Sequence, residues 1–190
     1  MRNLYIYSIL VCCLFVFLGC SSSSRSAECR IHGVVPDKSK EGIKVFLVPV
    51  DGVQDAAHVD STVIKDGKFE FTKDSTGMGV IRLDYHYRDN VQELLVVTEP
   101  GDVNVTIGPN STTAGTPQND SLQAWKDQII RRNVAYNKLR YQNDRHPSDS
   151  ATNKLKAMQK DYLSFNKAFR SRQPAGVFKD FLKRITGEKQ

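Results

Sequence analysis

The chain has 190 residues, 39% of them apolar and 25% charged, and carries a net charge of +6. It is long enough to bury a core without covalent staples, as one domain or as one domain with a helical appendage. Its four cysteines (Cys12, Cys13, Cys20 and Cys29) contain no Cys-x-x-Cys pair, which excludes thioredoxin-type redox chemistry by this polypeptide alone.

The first 19 residues have the three parts of an export signal. Arg2 supplies positive charge, Leu4 to Phe17 is almost wholly apolar, and Gly19 is a small residue before Cys20. The apolar run is shorter than the roughly 20 residues a spanning helix needs. Phe17-Leu18-Gly19-Cys20 resembles the lipobox of bacterial lipoproteins. That resemblance implies a diacylglyceryl group on the Cys20 thiol, cleavage before Cys20, and acylation of the new amino group. Two or more acyl chains hold stably at about 0.8 kcal/mol per buried methylene. The pattern departs from the usual one at Phe17 and Leu18, so an ordinary secretory signal or an uncleaved anchor is the competing reading. Ser21 follows the cysteine, and Ser21–Ser26 contains Arg25 and no acid. By resemblance this implies the periplasmic face of the outer membrane. Residues 20–27 read as a flexible tether. With Cys12 and Cys13 in the leader and Cys20 acylated, only Cys29 remains as a thiol. That excludes a disulfide-stapled domain and suggests a small apolar residue in the core.

Residues 28–116 read as β-structure, with seven candidate strands separated by turn signals. The first is Cys29–Val35. In Ile43–Val50 both alternating faces are apolar, so burial on both sides is expected, with pairing to end near Pro49. His58–Ile64 and Lys68–Thr72 flank Lys65-Asp66-Gly67, a strong hairpin signal. Phe69 and Phe71 share one face and should point into the core. Met78–Tyr87 and Val91–Thr98 form a pair around Arg88-Asp89-Asn90. Glu99-Pro100-Gly101-Asp102 is a turn, and Asp102–Ile107 a last strand.

Residues 117–190 read as helical. Pro117 suits a first helical position, with Asp120 or Ser121 as candidate cap. Leu122, Trp125, Ile129, Tyr136 and Leu139 recur at helical spacing, with Arg132 as a polar break. Leu155, Met158, Tyr162, Phe165 and Phe169 repeat likewise from about Ser150 to Ser171. The short loop around Pro147 makes these helices antiparallel neighbours. Their stripes should face each other or the sheet. A third helix spans Gly176–Ile185. The expected fold class is α+β: an antiparallel β-sandwich-like domain followed by a helical hairpin.

Charge divides along the same boundary. Cys20–Pro117 carries 10 basic and 14 acidic residues, a net of −4. Gln118–Gln190 carries 16 basic and 7 acidic residues, a net of +9. Outside the cytoplasm such a segment does not meet nucleic acid. It packs near the negative half, lies near anionic lipid, or forms a solvated face.

The search for chemistry finds little. His32, His58, His86 and His146 have no metal-ligand spacing, and there is no metalloprotease, nucleophile-elbow or phosphate-loop motif. His58, Asp60 and Ser61 are close, but on one strand Ser61 would oppose the other two, which a triad does not allow. No cofactor or metal is expected. Tyr85, Tyr87 and Trp125 would be candidate contacts for a glycan or lipid fragment.

Four segments in order resemble a known family: Asp60-Ser61-Thr62, Lys65 to Phe71, Glu99-Pro100-Gly101-Asp102, and Ala114 to Asn119. They resemble the β-rich domain of unknown function that precedes thioredoxin-like thiol-disulfide oxidoreductases in Bacteroidota. The helices, including Pro174-Ala175-Gly176-Val177, resemble the connector of those proteins. The resemblance covers roughly Glu28 to Ile185. The chain ends where the Trp-Cys-x-x-Cys domain of those proteins would begin, so no catalytic residue carries over. The expectation is a non-catalytic, lipid-anchored envelope adaptor whose partner is an envelope protein such as a thioredoxin-like oxidoreductase. A small-ligand receptor is the alternative.

Overall fold

The computed structural model describes residues 28–55, 57–83 and 93–187. Among them, β1 (Cys29–Val34), β4 (Lys68–Lys73), β7 (Gly101–Thr106) and β8 (Thr112–Ala114) form one sheet in the order β4-β1-β7-β8. A second sheet holds β2 (Lys44–Pro49), β3 (Asp60–Val63), β5 (Gly77–Leu83) and β6 (Glu93–Thr98), in the order β3-β2-β5-β6. Pairing is antiparallel except for β1 with β7, which run parallel. Helices α1 (Pro117–Arg145), α2 (Asp149–Ser171) and α3 (Val177–Ile185) follow. The fold class is α+β, as expected. The eighth strand was not anticipated because Thr112–Ala114 is too short to show alternation.

The sheets face each other across one core. Ile31, Phe69, Phe71, Val103 and Val105 meet Val45, Leu47, Ile81, Leu94 and Val96, and Cys29 is buried at its edge. Burial raises the pKa of the Cys29 thiol, and nearby Glu99 and Asp102 add to the rise while a backbone hydrogen bond at Glu99 opposes it. Gly33 is needed where the Phe69 ring crosses β1, because a Cβ there would lie 2.1 Å from the ring. The second sheet has a second core on its other face. Met78 and Val97 pack with Leu122, Trp125, Phe178, Phe181 and Leu182 of the helices. In β6, Leu94 and Val96 enter the first core while Leu95 and Val97 meet the second. Strand β2 behaves as expected from its two apolar faces, with Leu47 and Val48 both buried. The layers are therefore sheet, sheet, helices.

The Lys65-Asp66-Gly67-Lys68 turn forms, with φ of 52° at Asp66 and 69° at Gly67 and reciprocal Lys65–Lys68 backbone bonds of 2.9 and 3.0 Å. The expected hairpin ladder does not. Strand β3 pairs with β2, and β4 pairs with β1. The chain changes sheet at the turn, so Ile64 and Phe69 reach one core from opposite layers. The Arg88-Asp89-Asn90 turn lies outside the described residues, but β5 and β6 pair as expected.

Candidate interaction surface

Three of the segments that carry the family resemblance converge at one joint. The Glu99 carboxylate accepts from the Gln118 backbone N–H at 2.7 Å and from its side-chain Nε2 at 2.9 Å. Gln118 Oε1 in turn accepts from the Phe178 N–H at the start of α3. Gly176 is required beside it, since a Cβ there would lie 2.5 Å from Gln118 Oε1. Glu99 thus serves the first turn of α1, where the N-cap is Thr116 with no side-chain capping bond, in place of the expected Asp120 or Ser121. Asp120 instead accepts from the Gly115 N–H.

Asn119 is wholly buried. Its Oδ1 accepts from Val97 N–H at 2.9 Å, and its Nδ2 donates to Val97 O at 2.8 Å, so its amide pairs with edge strand β6 as another strand would. It also accepts from Thr113 Oγ1 and donates to Thr116 Oγ1. These bonds satisfy groups whose burial without a partner would cost about 1–3 kcal/mol each. The Ala114–Asn119 segment is a structural latch between both sheets and α1.

From this joint α1 has a defined course. Gln123 accepts from Thr113 N–H, Lys126 donates to Ser111 O, and Ile130 and Arg131 line a cleft with Gly108–Thr112. Burial lowers the pKa of Lys126, against a smaller opposing effect of Asp127. Helix α1 runs antiparallel to β8 and leaves past the β7–β8 loop. Strand β1 begins at the other end, where Gly101 N–H donates to Glu28 O. At 1.5 Å per residue, the stretch of α1 beyond Arg131 adds about 20 Å. The hairpin is an arm projecting away from the end where the chain enters β1.

The arm has a seam but, among the described residues, no third layer. From Lys126 to Phe165 no residue is buried. The seam joins Arg132, Tyr136 and Leu139 to Leu155, Met158 and Tyr162, all half-buried. Arg132, the break in the stripe, stacks its guanidinium 4.4 Å from the Phe165 ring and pairs with Asp161. Tyr136 accepts from Gln159 at 2.9 Å. Ser148 caps α2 by accepting from Ala151 N–H at 3.1 Å. The outer surface exposes Ile130, Val134, Tyr141 and Leu163, from 50% to 64%. A cleft of about 680 Å³ between the helices is lined by Ala135, Tyr136, Met158, Tyr162 and Leu163, with Arg131 and Arg132 at its polar side. The cleft can take an apolar side chain of another protein beside the paired Arg132 and Asp161. The sequence reading missed the exposed residues, whose one signal is that Ile130, Val134 and Tyr141 share a helical face roughly opposite that of Trp125, Ile129 and Tyr136.

The other sequence candidates lie elsewhere. Cys20, Tyr85, His86 and Tyr87 are outside the described residues. Trp125 is buried in the sheet–helix core, with its indole N–H bonded to Asn166 Oδ1 at 2.7 Å. His58 pairs with Asp55 at 2.5 Å, whereas Asp60 pairs with Lys73 at 2.7 Å. The His58 hydrogen bond is the first cause of the lowered Asp55 pKa. His58, Asp60, Lys73 and Ser75 line one cleft of about 490 Å³, but among the described residues no hydroxyl is bonded to the imidazole. On the open face of the first sheet, His32 lies between Asp102 (3.1 Å) and Glu70 (3.4 Å). The Asp102 hydrogen bond is the main cause that raises its pKa. Among the described residues no group of three or more His, Cys, Asp or Glu side chains could hold a metal ion.

Residues 29–122 match the family model of a domain of unknown function, DUF4369. The match spans both sheets and ends at Leu122, in the second turn of α1; the arm lies beyond it. No curated protein matches the chain. No solved structure matches it.

Proposed function

We propose that this protein is a non-catalytic adaptor of the bacterial cell envelope, held to a membrane through lipid on Cys20 and offering its helical arm to a protein partner. The observation that carries the reading is the arm itself. It exposes Ile130, Val134, Tyr141 and Leu163 on two helices that no third layer covers among the described residues, and exposed apolar patches mark interaction surfaces. The sandwich that bears the arm is closed by two cores and a buried polar latch, so it acts as a rigid mount. An envelope thiol-disulfide oxidoreductase with a thioredoxin-like domain is the partner class that the Glu99–Asp102 and Ala114–Asn119 motifs suggest. The outer membrane, facing the periplasm, is the location that Ser21 and the absence of an acidic cluster after Cys20 suggest.

A photo-crosslinking residue at Val134, compared with one at Thr72 on the open sheet, tests the reading in intact envelopes. The adaptor reading expects one reproducible protein adduct from Val134, none from Thr72, and loss of the adduct in Cys20→Ala. Equal labelling at both positions, or none at Val134, would remove the partner surface. A Cys20→Ala chain that stays with the membrane fraction after alkaline extraction would remove the anchor.

A further inference from the structure

The end of the molecule opposite the arm tip carries a second surface. Helix α2 returns from the tip, passes Trp125 at Asn166, and ends beside α3. Between them Lys167 and Arg170 of α2 and Lys179 and Lys183 of α3 line an open cleft of about 650 Å³, with Ser164 and Ser171 on its wall. Three of the four cations are held at the rim by bonds of their own. Arg170 donates to Thr186 Oγ1 at 3.0 Å, Lys179 to Gln173 O at 2.7 Å, and Lys183 to Asp180 at 2.7 Å. Asp180 is the one acid beside them on α3; Asp51, from the β2 end, is taken by Arg184. Ile185 is 46% exposed at the end of the same helix.

The position of this cleft names its occupant. Phe178, at the start of α3, is bonded to Gln118, Gln118 to Glu99, and Gly101 to Glu28, where the chain enters β1. The cleft and the chain entry therefore share one end of the protein. Eight residues upstream of Glu28 stands Cys20. We infer that the α2–α3 cleft binds the phosphate headgroups of anionic lipids in the membrane to which Cys20 anchors the chain, fixing the protein upright with its arm directed away from the bilayer. The inference rests on the anchoring reading. A basic cluster next to a lipid anchor supplies the second of the two signals that stable attachment uses. A free soluble phosphate has no reason to sit at the chain-entry end, whereas a bilayer does.

The test uses the full chain, expressed with its leader, extracted from envelopes and placed in nanodiscs of phosphatidylcholine with or without phosphatidylglycerol. Amide exchange across Val177–Ile185 is expected to slow on the anionic discs by about fivefold per engaged lysine, and to lose that protection in high salt. The triple variant Lys167→Glu, Lys179→Glu, Lys183→Glu should abolish the effect, and the milder Lys→Gln set should reduce it. Exchange near the arm tip, at His146–Asp149, should not respond to lipid charge. Equal α3 exchange on both discs overturns the assignment, and so does protection that survives charge reversal. Protection on neutral discs by inorganic phosphate alone, to the same extent, also overturns it. The intact mass of the extracted chain reads the Cys20 acyl groups separately, so a missing anchor and an empty cleft give different results. An unacylated chain is instead floated with vesicles of the same two compositions, where flotation favouring the anionic vesicles supports the cleft and equal flotation overturns it.

Discussion

The two halves of the helical hairpin have the same periodicity and opposite fates. Near the sandwich, Leu122, Trp125 and Phe169 pack on the second sheet with Phe178 and Phe181. Trp125 stands 6.2 and 6.1 Å from those two rings, edge to face. Beyond Arg131, Tyr136, Leu139, Leu155 and Met158 repeat the same spacing, yet none is buried. A helix of an isolated pair can bury only one side. The sheet makes the difference, because it supplies the second surface that turns a seam into a core. The base is thus built for stability, and the arm carries apolar surface that the other described residues leave uncovered.

The sharpest way to break the comparison is Trp125→Ala against Val134→Ala. The first removes two ring contacts and orphans buried Asn166 Oδ1, and should cost about 3–5 kcal/mol in urea unfolding. The second should stay within about 0.5 kcal/mol. Similar losses at both sites would mean that the arm is not an unpartnered surface. Asn119→Ala comes next. It strips Val97 N–H and O of their partner on a buried strand edge and should cost roughly 3 kcal/mol. Amide exchange at Val97 should rise with it, and an unchanged Val97 rate would show that the latch does not hold the edge. Ser148→Ala removes a cap on the arm alone, for about 1 kcal/mol. Exchange should rise at Ala151 and Thr152 while the sandwich amides keep theirs; a uniform rise would deny the two halves their independence.

The smallest effect lies on the open sheet. The folded state raises the His32 pKa above its ordinary 6.5, chiefly through Asp102. The resulting stabilisation is fully present below the unfolded pKa and disappears as pH rises through the folded one. Wild type should exceed His32→Gln in urea midpoint at pH 5.5 by more than at pH 8, by well under 1 kcal/mol because the groups are exposed. A gap that widens with rising pH would contradict the arrangement.

The contrast between the sheets was partly legible in the residues. Arg30 and His32 alternate with Cys29, Ile31 and Gly33 in β1, and such a strand meets water on one face. Val45 to Val48 has no such alternation: Val45 and Leu47 enter the core between the sheets, and Val48 is buried as well. The Asp66-Gly67 turn was also readable, since both positions need positive φ. The separation of its arms was not. A tight turn specifies local geometry, and which sheet each arm joins depends on β1 and β2, far away in the chain. The candidate surface was less legible still, because exposed and core apolar stripes obey one spacing rule.

By itself, the sequence determined what local chemistry controls: strand alternation, the turn residues, Pro117 at the start of α1, and the course of three helices. Only the tertiary structure decided what depends on neighbours far along the chain. It put Glu99, Gln118 and Gly176 into one joint, and gave Asn119 the edge of β6 to pair with. Among the described residues it also left the outer hairpin without cover. Spacing says which residues share a face, but burial depends on what another part of the chain places against that face.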